Sequence, residues 1–418
     1  MKVLLKDTTV LDPLSPYHEE SVDILIENGF FKQIAKEIKA SEDMKVITFP
    51  NLSCSQGWFD SSVSFGEPGY EERETLLHGL NVAARSGFTS IALQPDTNPI
   101  IDTNAAVGFI TGKTVHNPVK VYPIGALTVK SEGVDLAELY DMCQAGAIAF
   151  GDYKKAIENP TLLKLALLYV QNFDGLVISY PQDNAIAGHG MVHEEEQSTL
   201  LGLRGIPALA EELQIARDLS ILEYTGGKLH IPTISTQKSV KLIRDAKAKG
   251  LQVSCSVAVH HLILTDQELT TFDTRYKVLP PLRTSSDTTA LINGIKDGTI
   301  DMITTDHQPI DIENKKVEFD HAKYGTLGLE SAFGILNNLI GTTTALKMLT
   351  QGKTIFGIKP VPVEIGNPVD IALFNTLGKG KFTKEKVLST SKNSAFFGKE
   401  TQGEVYGIIA HSHIIVNT

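Results

Sequence analysis

Eight short apolar or β-branched stretches, each followed by a longer stretch of helical period, run through the middle of this 418-residue chain. They fall around residues 54–64, 88–97, 121–128, 147–153, 176–182, 229–236, 251–262 and 300–309. Between them lie amphipathic patterns such as ETLLHGLNVAARSG, NPTLLKLALLYVQNF and STQKSVKLIRDAKAKG. Polar or glycine stop signals close the last two. Eight strand-then-helix units are what a closed (β/α)8 barrel requires. The chain ends break this rhythm. Residues 1–50 read as short strands joined by tight turns, one of them Asn28-Gly29, and short strands return after about residue 360. The reading is an α/β chain with a barrel over 51–359 and a small β-sandwich built from 1–50 and 360–418.

The content of that barrel is constrained by composition. At 42% hydrophobic residues the chain can fill a large core. Its net charge of −11 comes from dispersed acids, and no basic stripe appears, which argues against nucleic acid or an anionic membrane as partner. Cys54, Cys143 and Cys255 lie far apart without a C-x-x-C pair, which suits neither a disulfide framework nor a thiolate zinc site. Met1 leads directly into a strand-like segment and no apolar run could span a bilayer, so a cytoplasmic protein without a signal peptide is expected.

A barrel of this kind carries its site where the strands end. The side chains there are Ser62, Ser64, Asp96, Tyr153, Tyr180, Thr233, His260, Asp306 and His307. Their setting resembles the dihydroorotase branch of the amidohydrolase superfamily. DSSVSFGEPG (60–69) stands where the family writes D-V-H-V-H-L-R-E-P-G. SGFTS (86–90) and QPDTNP (94–99) stand for G-G-F-T-T and M-P-N-T-x-P. LGLRGIPALAEE (201–212), PPLRT (280–284), DGTIDMITTDHQP (297–309) and YGTLGLESAF (324–333) match as well. The resemblance spans essentially the whole chain and implies a TIM-type barrel of the amidohydrolase type, pyrimidine biosynthesis, and hydrolysis or closure of a cyclic amide at one or two zinc ions. Zinc there is held by imidazoles and carboxylates, and its bound water becomes the nucleophile.

Carried across residue by residue, that set is nearly erased. The H-x-H pair falls on Ser62 and Ser64, the bridging carboxylate on Tyr153, and the strand-five and strand-six histidines on Tyr180 and Thr233. Asp152 lies outside the ligand position, and Asp306 alone keeps a ligand-type side chain, with a residual catalytic role as its only candidate chemistry. On the substrate side Gly66 replaces the clamping arginine, Asp96 an amide, Leu279 an asparagine and Ile310 a histidine. The expectation is therefore no metal and no other cofactor, although the family uses zinc. The chain reads as a non-catalytic paralogue, a homodimer, and by the family's precedent a structural or regulatory partner of aspartate carbamoyltransferase. Two other readings stay open: a hydrolase with altered, metal-independent chemistry at Asp306, Tyr153 or Tyr180, and a module that senses a metabolite without turnover.

Other chemistry-bearing groups read as structural. A Ser62 or Ser64 triad with His307 and Asp306 fails because 306 and 307 adjoin and face opposite ways. His260 and His261 should likewise diverge and pack. His411 and His413 read as exposed strand positions, His189 and His193 as loop residues, and IENKKVEFDHAK (311–322) as a solvated loop. Trp58 reads as a packing residue beneath the mouth.

Overall fold

The computed structural model describes residues 2–417. Its centre is a parallel sheet of eight strands in chain order. They are β1 (Trp58–Val63), β2 (Phe88–Leu93), β3 (Lys120–Gly125), β4 (Ala149–Phe150), β5 (Leu176–Ile178), β6 (Lys228–Ile231), β7 (Val253–Ala258) and β8 (Met302–Thr304). Every residue of β1 and β2 is buried. That follows from position: one face of each strand lines the barrel and the other meets the helices.

The ring closes between β1 and β8. Val63 and His307 form a parallel bridge, and the Ser64 amide donates to the His307 carbonyl at 2.9 Å. Behind that seam the Asp60 carboxylate accepts from the Ser62 amide at 2.9 Å, the Thr305 amide at 2.9 Å and the Thr304 hydroxyl. One buried side chain thus ties the first strand to the last.

Helix starts are set by side-chain caps. Thr75, Thr103, Asn159 and Thr236 accept from the opening turns of helices Leu76–Arg85, Asn104–Thr114, Pro160–Val170 and Gln237–Ala248. Thr284 and Asp287 form a reciprocal capping box at Ser285–Lys296. These caps satisfy amides that would otherwise be orphaned where the chain leaves the barrel rim.

The chain ends form a second eight-stranded sheet. Its path runs His413–Val416, Glu400–Ala410, Asp370–Lys381, Ser53–Gln56, Lys2–Val10, Ser21–Glu27 and Phe30–Ala35, with Lys45–Ile47 pairing on Lys2–Val10. Asn28 and Gly29, both at positive φ, make the two-residue turn expected between Ser21–Glu27 and Phe30–Ala35. The stretch read as one strand over 54–64 is two. Ser53–Gln56 pairs in the terminal sheet, and the barrel begins at Trp58. Gly57 is the joint, where the backbone passes so close to Thr89 that a Cβ would lie 2.0 Å from its Oγ1. Trp58 then packs between the two units, stacked on Phe333 at 4.9 Å and tilted against Phe374 at 5.6 Å. Among the described residues no helix is long and apolar enough to cross a membrane.

Replacing Asp60 by alanine would strand two backbone amides and a hydroxyl in the closed seam. Urea unfolding followed by circular dichroism should show a loss of about 3 kcal/mol. A loss under about 1 kcal/mol would mean that closure does not rest on this carboxylate.

Candidate active-site mouth

The end of β1 and the loops that leave β4, β5, β6 and β8 bring Ser62, Tyr153, Tyr180, Thr233 and Asp306 around one small cavity. Its volume, about 20 Å³, holds a single water molecule and no cyclic amide. The backbone turns sharply there. Tyr153, Thr233 and Asp306 have φ of 57°, 47° and 48°, a region that β-branched threonine avoids. Strained backbone of this kind gathers at functional sites. Three residues that line the cavity thus share one unusual bend and carry a phenol, an alcohol and a carboxylate.

Asp306 is buried, and its carboxylate is already engaged. Oδ1 accepts from Ser62 Oγ at 3.0 Å, and Oδ2 accepts from the Lys154 ammonium at 2.9 Å. Lys154 also donates to Gln308 Oε1 at 3.1 Å, and its nitrogen lies 5.3 Å from the centre of the Tyr153 ring. Sequence reasoning missed Lys154. The signal was present in GDYKK, where a lysine directly follows the tyrosine at the end of strand four. What hid it was that a cation is not a ligand type, so a search for ligands passes over it.

Of the two serines, only Ser62 bonds Asp306. Ser64 lies beyond the end of β1, further out along the rim, and donates to Asp96 Oδ2 at 2.8 Å. Burial raises the Asp96 carboxyl above its ordinary range, opposed by the bond from Ser64 and the charges of Arg73 and Lys154. Asp152 points elsewhere and accepts from the Thr128 amide and hydroxyl at 3.0 and 2.5 Å. The hydroxyls of Tyr153 and Tyr180 have no partner among the described residues. Burial first, and then the Asp306 charge, push both phenols well above their ordinary value. They stay protonated and are not bases.

The outer positions scatter. Asp96, Leu279 and Ile310 line a second, larger cavity above the tyrosines. Gly66 does not line it. Its φ is +112°, and a side chain there would meet the Tyr70 carbonyl oxygen at 2.6 Å.

The residues present do not fit a zinc ion. Such an ion needs three or four imidazole, thiolate or carboxylate donors. Among the described residues no group of three or more His, Cys, Asp or Glu side chains is placed to hold a metal. Around the small cavity the one carboxylate, Asp306, faces an ammonium, and the one imidazole, His230, has its ring nitrogens at the Ser254 and Ser256 hydroxyls, 2.9 and 3.2 Å away.

The histidines divide between packing and turns. His307 turns away from Asp306 and accepts at Nδ1 from the amides of Gly328 and Leu329 at 3.2 and 3.3 Å, so no triad forms. His260 and His261 do not diverge as expected. They sit on a short helix, Val259–Ile263, with ring centres 4.4 Å apart, because a helix separates successive side chains by about 100° and not 180°. His193 Nδ1 meets the buried Arg283 guanidinium at 2.8 Å, and burial and that charge bring the imidazole down to about 4. His411 and His413 straddle a hairpin turn and do not share one strand. In the charge-rich loop, Lys315 is not solvated. It is buried, donates to the Thr274 and Lys277 carbonyls at 2.8 and 3.2 Å, and is lowered by burial to about 7.

The barrel, its capping sheet and the position of its mouth define an amidohydrolase-type fold. An L-hydantoinase (dihydropyrimidinase) from Arthrobacter aurescens superposes with a TM-score of 0.86 at 19% identity, over 99% of this chain and 96% of that one. A dihydropyrimidinase from Brevibacillus agri NCHU1002 does so with a TM-score of 0.82 at 18% identity, over 100% and 95%. Residues 55–239 match the family model described as Dihydro-orotase-like. The dihydroorotase of Pelotomaculum thermopropionicum is 38% identical over 423 residues, covering 100% of this chain and 99% of the relative. That of Geotalea daltonii is 36% identical over 422 residues, covering 99% of each. The chain belongs to the dihydroorotase family.

Two measurements check the electrostatics. Lys154→Met leaves Asp306 buried without its cation and should cost about 3 kcal/mol, most of it recovered in the Lys154→Met/Asp306→Asn double variant. Additive losses would show that the two groups are not coupled. His260 is brought by burial from 6.5 to about 3, so the fold favours the neutral ring while the unfolded chain takes up a proton below 6.5. Its stabilisation is lost as pH falls. Between roughly pH 7.5 and 5.5 the protein should lose about 1.4 kcal/mol more than the His260→Phe variant does.

Proposed function

We propose that this chain is a dihydroorotase-family barrel without metal-dependent hydrolysis, retained as a structural or regulatory partner of aspartate carbamoyltransferase in pyrimidine biosynthesis. The observation that carries the reading is the Lys154–Asp306 pair at 2.9 Å. A metal centre would use that carboxylate, and here a fixed ammonium neutralises it. The family position that supplies a bridging carboxylate supplies the Tyr153 phenol, and the space left beside it is about 20 Å³.

Metal-independent hydrolysis is the weaker reading. A general base must hold a proton acceptor free near the substrate. Asp306 is bonded on both oxygens, and the two phenols are held protonated. A cytoplasmic homodimer that presents its outer surface to the transferase needs none of these groups to react. It needs the fold, which the Asp60 seam and the capped helices maintain.

Protein purified in the presence of zinc should carry far less than one equivalent of metal by elemental analysis and should not hydrolyse dihydroorotate. Co-expressed with the aspartate carbamoyltransferase of its own organism, it should co-elute with that enzyme. Stoichiometric zinc together with turnover would overturn the proposal, and so would the absence of any complex with the transferase.

A further inference from the structure

Above the tyrosines lies a cavity of about 280 Å³, close to the lower end of small-molecule pockets, roughly 300 Å³. Arg73, Lys154, Lys155 and Lys323 line it, against the carboxyl groups of Asp96 and Asp152. Two of these groups are already committed. Lys154 is paired with Asp306, and both oxygens of Asp152 are bonded by Thr128. Lys155 donates to the Ser131 carbonyl at 3.1 Å and keeps two further N–H donors, while Lys323 stands exposed at the rim.

Arg73 is the unusual member. Its guanidinium carbon lies 4.1 Å from the centre of the Tyr70 ring, and the residue is only 9% exposed. Among the described residues no side-chain or backbone oxygen accepts from the guanidinium, and its buried Nε has no partner. Asp96 lines the same cavity without bonding it, and Asp96 Oδ1 is itself unpartnered. A buried Nε–H without an acceptor is costly, and a guanidinium whose nitrogens are bonded by no protein oxygen is a ready fork for a carboxylate or phosphate. Its place also matters. The arginine that family members carry falls on Gly66, and a Cβ built there would lie 3.4 Å from Arg73 Cβ. A guanidinium therefore still borders the mouth, supplied from seven residues further along the chain.

We propose that this cavity is a receptor for a small dianion, a dicarboxylate or a phosphate compound, gripped by Arg73 with Lys155 and Lys323 at the rim and bound without turnover. This goes beyond the scaffold reading and does not depend on it. A chain with no transferase partner could still bind the anion, and a scaffold could lack the site, so binding and co-elution fail separately.

The test is calorimetric titration of the full chain at constant ionic strength with succinate, with inorganic phosphate, and with uncharged succinamide. Thermal unfolding is followed in parallel, because a ligand that prefers the native state raises the midpoint. Saturable binding of one equivalent is expected for at least one dianion and none for succinamide. Whichever of succinate and phosphate binds more tightly identifies the ligand class. Arg73→Met should weaken that binding at least tenfold. Should Arg73→Met fail to fold, Lys323→Met at the exposed rim should weaken it two- to fivefold. No saturable binding of either dianion up to roughly 10 mM would overturn the proposal. Equal binding of succinamide would also overturn it, as would affinity unchanged in every folded variant.

Discussion

The barrel depends on a closed seam between its first and last strands, and that seam is held from inside by one carboxylate. Asp60 collects two amides and a hydroxyl from both sides of the junction. Burial raises its pKa to about 6, so the bonds it accepts must offset a large desolvation cost. The arrangement fixes where β1 and β8 stop. It therefore sets the Ser62 hydroxyl and the Asp306 carboxylate facing each other across the mouth. The bond from Ser62 to Asp306 across the small cavity follows from that register.

At the mouth, scaffold and chemistry have separated. Sharp turns stand at Tyr153, Thr233 and Asp306, where left-handed backbone is least favourable for the β-branched threonine. Strain of that kind is tolerated when surrounding packing over-determines it. The side chains in those bends are a phenol, a methyl-bearing alcohol and a carboxylate held by an ammonium. A divalent cation would need that carboxylate and two or three donors more. Lys154 instead supplies a single positive charge from within the chain, so Asp306 is not left as an uncompensated buried anion.

The mouth also has two levels of unlike character. The lower is filled to within one water molecule by Tyr153, Tyr180 and their neighbours. The upper remains open and carries more positive than negative groups. Filling of the lower level and opening of the upper level are therefore independent features of this fold. Function resides in the groups that line each level, and the barrel constrains neither.

Much of the fold could be read from the residues. The eight strand–helix units, the Asn28-Gly29 turn and the pairing of the chain ends rest on local periodicity and turn chemistry, which act over a few residues. That Ser62, Ser64, Tyr180 and Thr233 bring hydroxyls to the strand ends was equally legible, because ligand chemistry belongs to the side chain itself. Periodicity could not show the break at Gly57, since apolar strands belonging to two sheets look alike when they follow one another without a loop. Nor could it place His260 beside His261, because a single helical turn is too short to leave a period. Lys154 on Asp306, Ser64 on Asp96 and Arg73 beside Asp96 in the upper cavity bring together residues 152, 32 and 23 positions apart. Sequence determined which chemistries each strand end could offer. Tertiary structure alone decided which charges met in their place, because a contact between distant residues is fixed by the closure of the barrel and not by anything adjacent in the chain.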